Sequence, residues 1–371
     1  MSLMSFPALV VSAALSNALP PSPDQVLEIP DDLLAQAQLV VAEPGASRER
    51  RLDRLVEFVS ETDHLGFSYR GDATHTVGQT FAVREGNCLS FTLLFLSLSR
   101  ALGLESEARE VSIPPAWQDQ GDTLFEVGHI NVGVDTPSRR RTVDFDPDYL
   151  RSLRLAAPWR GRVVSDERAL AHYYNNRAAE LSGQGQVALA TLWIQQALAL
   201  DPTFDSAYNT AGVIQRRLGR TEEAQRYFES ALELNAESAS VLFNLIALAE
   251  QTGRSSGAQG YRERLHSLHP DDPWFHWQLG RGYRTQGETV LSLAAFRRAY
   301  ELDPGQARFA RDLMDTLIAA NLLTEAVRVR MQLARLSSAT SSAGGLQDPM
   351  SFKKKPDDWK SSGSNHTTLY Q

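Results

Sequence analysis

The chain has 371 residues, of which 42% are hydrophobic and 22% are charged, and its formal net charge is −8 at pH 7. This length and balance predict two or three globular domains, and the acidic charge argues against nucleic acid as a partner, since nucleic acid binds clustered Lys and Arg. The single cysteine, Cys88, excludes an intramolecular disulfide framework and a multi-cysteine zinc site, and we expect neither a metal nor a cofactor.

Residues 1–22 are predicted to be a leader or signal segment. Residues 6–15 read FPALVVSAAL, and the small residues Ser16 and Ala18 follow, as before a secretory cleavage site, but basic residues are absent. The alternative is a frayed terminus or an N-terminal strand, so the compartment stays open between export to the periplasm and the cytoplasm. Nowhere does the chain have the roughly 18 uninterrupted apolar residues of a membrane-spanning helix.

Residues 23–160 are predicted to form an α+β domain. Two helices come first, and a third begins after Gly86-Asn87 and is apolar on nearly all sides, as is typical of a core helix. Strand-like segments follow at Ser106–Ile113 and Gly128–Val134, and Arg141–Asp146 is placed to pair back as a hairpin. Helices followed by an antiparallel sheet indicate the α+β class.

Residues 171–338, after a linker at 161–170, carry an internal repeat. Four glycines recur every 34 residues, at Gly185, Gly219, Gly253 and Gly287. The most regular unit has Leu279, Gly280, Tyr283, Gly287, Phe296, Ala299 and Pro304 at its signature positions. This pattern resembles the tetratricopeptide (TPR) repeat family, which implies an all-α solenoid of four repeats and a degenerate capping helix pair. Residues 339–371 are small and polar, and we expect a disordered tail.

A TPR solenoid implies a concave surface that holds a protein or peptide. Asparagine, a poor helix former, recurs in the first helices of three repeats, at Asn175, Asn209 and Asn244. One interpretation is that these exposed amides bind an extended peptide backbone. The alternatives are an ordinary solvated surface, or an array that only pads or dimerises the protein.

Cys88 lies where a Gly-Asn turn enters the apolar helix, so the free amides of the helix start favour its thiolate. His129 opens a downstream strand, and Asp144 and Asp146 lie two apart on the returning strand, so they share one face. A thiol, an imidazole and a carboxylate are therefore expected to converge. The Cys88 backbone N–H is the natural oxyanion donor, and Gln79 is a candidate second donor.

These residues resemble the transglutaminase-like branch of the papain-like fold. The matching pieces, in that family's order, are Gly86-Asn87-Cys88, Ala101-Leu102-Gly103-Leu104, Gly128-His129 and residues 143–147 (VDFDP). The resemblance implies that Cys88 is the nucleophile, His129 the general base and acid, and Asp144 or Asp146 the group that orients the histidine. The two aspartates bracket the family's usual spacing from His129, and Asp144 is the weakly preferred choice.

The full prediction is an α+β papain-like, transglutaminase-like domain followed by an all-α TPR solenoid. The leading hypothesis for function is a thiol-dependent acyl-transfer enzyme, a peptidase or amidohydrolase, whose TPR array docks a protein substrate or partner. Water is the default acyl acceptor. The alternative is a non-catalytic peptide-binding adaptor or scaffold that keeps the transglutaminase-like fold.

Overall fold

The computed structural model describes residues 19–120, 123–137, 140–144, 161–268, 270–285, 287–344 and 369–370. Most of the predicted leader, Asp146 and most of the predicted tail lie outside these ranges. The chain divides into two compact units, one comprising Met1–Leu234 with Lys354–Gln371 and the other Asn235–Lys353. This division differs from the boundary drawn near residue 160 from the sequence, because the first two repeat helix pairs belong to the same compact unit as the strands.

In the described part of the first unit, five helices come first: α1 Pro23–Leu27, α2 Asp31–Val41, α3 Arg48–Ser60, α4 Val77–Val83 and α5 Cys88–Ala101. Short polar side chains start four of them, since Ser22, Ser47, Thr76 and Asn87 each accept a hydrogen bond from a backbone N–H of the first turn. Pro30 precedes α2 instead, so the acidic residues of its first turn act through the helix dipole and not as caps.

The described strands of the first unit form two sheets. β1 (Ser68–Tyr69) and β2 (Glu85–Gly86) pair in parallel. The main sheet has the order β6-β3-β4-β5-β7, is antiparallel throughout, and consists of β3 Ser106–Gln120, β4 Thr123–Asp135, β5 Arg140–Val143, β6 Gly161–Val164 and β7 Leu369–Tyr370. The predicted hairpin strand therefore ends at Val143, before Asp144. Leu369 and Tyr370, which belong to the predicted tail, pair with β5.

Helix α5 packs its apolar side chains into the core of this unit. Seven of them are at most 4% exposed: Leu89, Phe91, Leu93, Leu94, Phe95, Leu96 and Leu98. Burial of each such side chain contributes about 1.5–3 kcal/mol. Against α5 lies β4, whose Ile130, Val132 and Val134 are buried, and the Thr92 hydroxyl donates to the Ile130 carbonyl at 3.2 Å. The helix that carries Cys88 and the strand that carries His129 are thus fixed to each other.

Paired helices make up the rest of the described chain. The first unit holds α6 Asp166–Gly183, α7 Val187–Leu200, α8 Asp205–Arg217 and α9 Thr221–Leu234. The second unit holds α10 Ala239–Gln251, α11 Ser255–Leu268, α12 Pro273–Thr285, α13 Thr289–Leu302, α14 Ala307–Ala319 and α15 Leu323–Gly344. The four glycines of the 34-residue period have positive φ between +70° and +78°, which ends the first helix of each pair. The helical repeat prediction is confirmed, whereas a papain-like fold for the strands and α1–α5 stays a prediction.

Helix α6 is joined to the sheet by charged contacts within the first unit. Glu110 on β3 is within 2.8 Å of His172 on α6 and accepts from Arg162 on β6 at 2.6 Å. Burial opposes ionisation of Glu110, but hydrogen bonds from His172 and Arg162 lower its pKa to about 2. The carboxylate is therefore charged at neutral pH and holds the first repeat helix against the strands.

We expect Gly280→Ala to destabilise the second unit by about 1–3 kcal/mol, because the new Cβ has no room. A Cβ at Gly280 would lie 2.7 Å from Phe296 Cδ1, in the seam between α12 and α13. Gly260 on α11 is the matched control, since a Cβ there meets nothing within 4 Å, and its replacement by Ala should stabilise by up to about 1 kcal/mol. Urea unfolding of both variants measures the difference, and equal midpoints would contradict this packing.

Candidate functional site

Cys88 is the first residue of α5 and is partly exposed. The preceding Asn87 closes the helix start, because its Oδ1 accepts from Ser90 N–H at 3.0 Å while its Nδ2 donates to Thr74 Oγ1 at 2.7 Å. Gly86 is needed before it, since a Cβ there would lie 2.6 Å from Ser90 Cβ. The Gly-Asn-Cys sequence thus places a thiol beside the unpaired amides at the positive end of a helix.

His129 lies on β4 and joins Cys88 to Asp144. Its Nε2 is 2.6 Å from Asp144 Oδ2, the side chains of the pair are only 3% and 5% exposed, and the imidazole is hydrogen-bonded to the Cys88 side chain. Asp144 directly follows β5, which pairs with β4 in the main sheet. The structure therefore brings together the three side chains that the sequence singled out, with Asp144 as the described carboxylate, while Asp146 lies outside the described residues.

The environment of His129 favours its protonated form. Burial alone would lower the pKa of this imidazole, but hydrogen bonds and charge interactions with Asp144 and Cys88 outweigh it and raise the pKa from 6.5 to about 10. A positively charged imidazole next to a thiol stabilises the thiolate electrostatically. The arrangement is therefore chemically able to support nucleophilic attack by sulfur, with the proton held on His129.

Asn131 is a site residue that the sequence reasoning missed. Its Nδ2 donates to Asp144 Oδ2 at 3.0 Å, and its side chain is buried two residues beyond His129 on the same face of β4. Among the described residues, its Oδ1 is one of the buried oxygens with no hydrogen-bond partner. The period of two along a strand was the signal that would have found it, since it puts residues 129 and 131 side by side.

The second proposed oxyanion donor has another role in the structure. Gln79 is exposed on α4, where its Oε1 accepts from Thr76 N–H at 3.1 Å and its own N–H donates to Thr76 Oγ1. This reciprocal pair is a capping box that starts α4. The oxyanion role of Gln79 stays a prediction. The backbone N–H of Cys88 lies at the start of α5, next to the thiol, where an oxyanion donor would act.

The first repeat helix reaches the loop that holds Asn87. Glu180 on α6 accepts from Thr74 N–H at 3.2 Å, and the Thr74 hydroxyl in turn accepts from Asn87. Burial raises the pKa of Glu180, while hydrogen bonds from Thr74 and the charge of Arg177 lower it, and the net effect is a raised pKa. A chain of side-chain contacts therefore runs from α6 to the residue that caps the Cys88 helix.

The three repeat asparagines are buried, although the sequence predicted that they are exposed. Asn175, Asn209 and Asn244 have only 8%, 6% and 2% of their surface accessible. The expectation of exposure was wrong because a residue on a first helix also packs against the neighbouring helices, and burial depth does not follow from repeat register alone. Of the three, Asn175 has a buried Oδ1 without a hydrogen-bond partner in the described part of the chain.

The described residues lack two further features, a group of metal ligands and a membrane-spanning helix. Within the described ranges, no three His, Cys, Asp or Glu side chains are grouped so as to hold a metal ion. In the same ranges, none of the helices combines the length and apolarity required to cross a membrane.

Known proteins resemble parts of this chain. Residues 205–238, which include α8 and α9, match the family described as Tetratricopeptide repeat. The cytochrome c-type biogenesis protein CycH of Rhizobium meliloti (strain 1021) is 28% identical over 134 residues, which is 35% of this chain and 35% of that protein. The chain thus matches about a third of the length of this curated relative.

Solved structures also align with just under half of the chain. A Pseudomonas aeruginosa structure titled for the characterization of pilF covers 46% of this chain and 78% of its own, at 17% identity and a TM-score of 0.41. MamA from Desulfovibrio magneticus RS-1 covers 47% and 97%, at 16% identity and a TM-score of 0.36. YrrB, titled a TPR protein with an unusual peptide-binding site, covers 45% and 86%, at 24% identity and a TM-score of 0.32. The family match shows that the chain contains a tetratricopeptide repeat, a protein-binding module, as its 34-residue period predicts.

Proposed function

We propose that the chain is a thiol-dependent acyl-transfer enzyme, a peptidase or amidohydrolase of transglutaminase-like type, and that its TPR repeats dock a protein substrate or partner. The observation that carries this proposal is the hydrogen-bonded row of Cys88, His129 and Asp144 at the start of a core helix. A cysteine that only fills space in a core needs no histidine partner. It also needs no buried carboxylate that holds the other ring nitrogen of such a histidine, so this arrangement favours a reactive thiol.

The proposed reaction has two steps. In the first, the Cys88 sulfur attacks the carbonyl carbon of an amide, the carbonyl oxygen becomes an oxyanion near the Cys88 N–H, and the C–N bond breaks as His129 gives its proton to the leaving amine. In the second, water attacks the thioester, its proton passes to His129, and the C–S bond breaks to release the carboxylic acid and regenerate the pair. Asp144 holds the imidazole in place throughout and stabilises its positive charge.

The second candidate function is a non-catalytic adaptor, in which the repeats hold a partner and the cleft only binds a peptide. The matching repeat at residues 205–238 favours a protein-binding role by itself, and the partial relative from Rhizobium meliloti is described by a role in the biogenesis of another protein. Nothing in that role requires Cys88 to react.

The rate at which iodoacetamide alkylates Cys88 separates the two functions. Cys88 is the only cysteine, so the rate reports one thiol. If the enzyme proposal holds, alkylation should stay fast well below the ordinary cysteine pKa of about 8.5, because the thiolate is paired with His129. Glutathione measured in the same buffers is the reference for an unperturbed thiol. A Cys88 rate that follows the glutathione rate across the pH range would overturn the proposal and leave the adaptor.

A further inference from the structure

An arginine cluster surrounds one indole ring in the second unit. The guanidinium carbons of Arg281 and Arg308 lie 4.9 Å and 5.0 Å from the centroid of the Trp277 ring. Arg281 and Trp277 belong to α12 and Arg308 to α14, so two first helices of the repeats contribute. The indole is only 2% exposed, while Arg281 and Arg308 are partly exposed above it and Arg284 is exposed. We call Trp277, Arg281, Arg284 and Arg308 the arginine cluster.

Of the two carboxylates near this cluster, Asp312 is bonded by members of the cluster and Glu250 by another arginine. Asp312 accepts from Trp277 Nε1 at 2.7 Å and from Arg284 at 2.8 Å. Glu250 is paired with Arg262. The hydrogen bond described for Arg281 goes to a neutral group, the Gln278 Oε1, at 3.3 Å. Asp312 is therefore shared between the indole and Arg284, while Arg281 is bonded to a neutral amide.

The position of Arg281 is unfavourable for an isolated charge. Burial lowers the pKa of Arg281, the neighbouring Arg308 and Arg284 lower it as well, and Asp312 and Glu250 oppose them only in part. A half-buried cation with several like charges around it is stabilised by an additional anion. The contact with the indole also restrains the guanidinium, whose fork of N–H donors matches a carboxylate.

We propose that the arginine cluster is a docking surface for an acidic protein segment, whose Asp or Glu carboxylates pair with Arg281, Arg284 and Arg308. This inference rests on the proposed docking role of the repeats and adds the chemistry of the partner. The argument is charge complementarity, because three partly or fully exposed guanidiniums are gathered on this surface and two of them lie over one indole. A lysine or arginine side chain of a partner would be repelled by the same surface.

The test uses the full chain and two short fluorescein-labelled peptides, one alternating Glu with Gly and the other with Gln in place of every Glu. Fluorescence anisotropy should show that the Glu peptide binds, that its affinity falls with added salt, and that the Gln peptide binds at least about tenfold more weakly. Arg281→Gln should lower the affinity for the Glu peptide roughly tenfold, since a charge-assisted pair is lost.

Arg298→Gln is the matched control, because Arg298 is exposed on α13, pairs with Asp271 at 3.0 Å, and also contributes one positive charge. It should leave the affinity for the Glu peptide within about twofold, as expected for a surface charge outside the site. Arg284→Gln is the second test variant, since Arg284 is exposed and its loss does not uncover Trp277; it should also weaken binding. Thermal unfolding by circular dichroism checks that each variant is folded.

Equal binding of the two peptides, no binding of either, or an equal effect of Arg281→Gln and Arg298→Gln would overturn the docking surface. Such a result leaves the thiol chemistry standing, because alkylation of Cys88 is measured separately on the same protein. Conversely, an unreactive Cys88 together with a strong preference for the Glu peptide supports the docking surface and removes the enzyme.

Discussion

Replacing His129 by Gln should slow the alkylation of Cys88 at about pH 6 by up to roughly a hundredfold. A free thiol with a pKa near 8.5 is less than about 1% ionised at this pH, and a charged imidazole beside a thiol favours the reactive thiolate. His129 is hydrogen-bonded to Cys88, and its raised pKa of about 10 keeps the imidazole charged at pH 6. The variant removes that charge and leaves only the start of α5 to favour the thiolate.

His64→Gln is the control for this experiment, since His64 is exposed in the same unit and its ring lies tilted at 5.9 Å from that of Phe58. Its alkylation rate should equal that of the unmodified protein. Any amide hydrolysis found with this protein should be lost in Cys88→Ser and in His129→Gln alike, since residues that act as one catalytic unit do not contribute additively. Equal rates for His129→Gln and His64→Gln would remove His129 from the proposed mechanism.

The Asp144→Ala variant should be less stable than the unmodified protein by about 3–5 kcal/mol at neutral pH, because it leaves the His129 charge buried without its partner. Asp144 and His129 have side chains that are only 5% and 3% exposed, so water replaces the lost carboxylate poorly. The control is Asp135→Ala on the same sheet. Asp135 pairs with Arg140 at 2.7 Å, but both side chains are nearly half exposed, and removal should cost at most about 1 kcal/mol.

The dependence of stability on pH should identify the same pair. The pKa of His129 is about 10 in the folded chain and near its ordinary value of 6.5 when unfolded, so protonation favours the folded state. This contribution is fully present below about pH 6.5 and is lost as the pH rises toward 10. Urea midpoints of the unmodified protein should therefore fall across that interval, with a much smaller fall for Asp144→Ala. Parallel curves would contradict the raised pKa.

The sequence was sufficient to place Cys88 and His129 because strong local signals surround them. A Gly-Asn turn before an apolar run fixes where α5 begins, and pairing of adjacent strands brings their faces into register. Asn131 was missed because an amide between apolar residues resembles any strand position until its partner is known. The returning strand of the hairpin was predicted to extend to Asp146, but β5 ends at Val143.

The positions of the repeat helices along the chain were predicted correctly, but the burial of their side chains was not. Glycine recurs every 34 residues because each of these positions has a positive φ, which glycine adopts without strain. The helix pairs could therefore be recognised from the sequence. The burial of Asn209 and the stacking of Arg281 on Trp277 depend on contacts between helices far apart in sequence. Such contacts are set by packing, which a local pattern does not encode.

The contact of Glu180 with Thr74 has a consequence for how this protein can be taken apart. A gene cut at the predicted linker, residues 161–170, would yield a fragment with Cys88 but without the carboxylate that fixes the loop beneath it. Helix α6 belongs, by its sequence, to the repeats and, by its contacts, to the thiol-bearing half. Recombination that exchanges repeat arrays between proteins would therefore have to leave α6 with the thiol-bearing half.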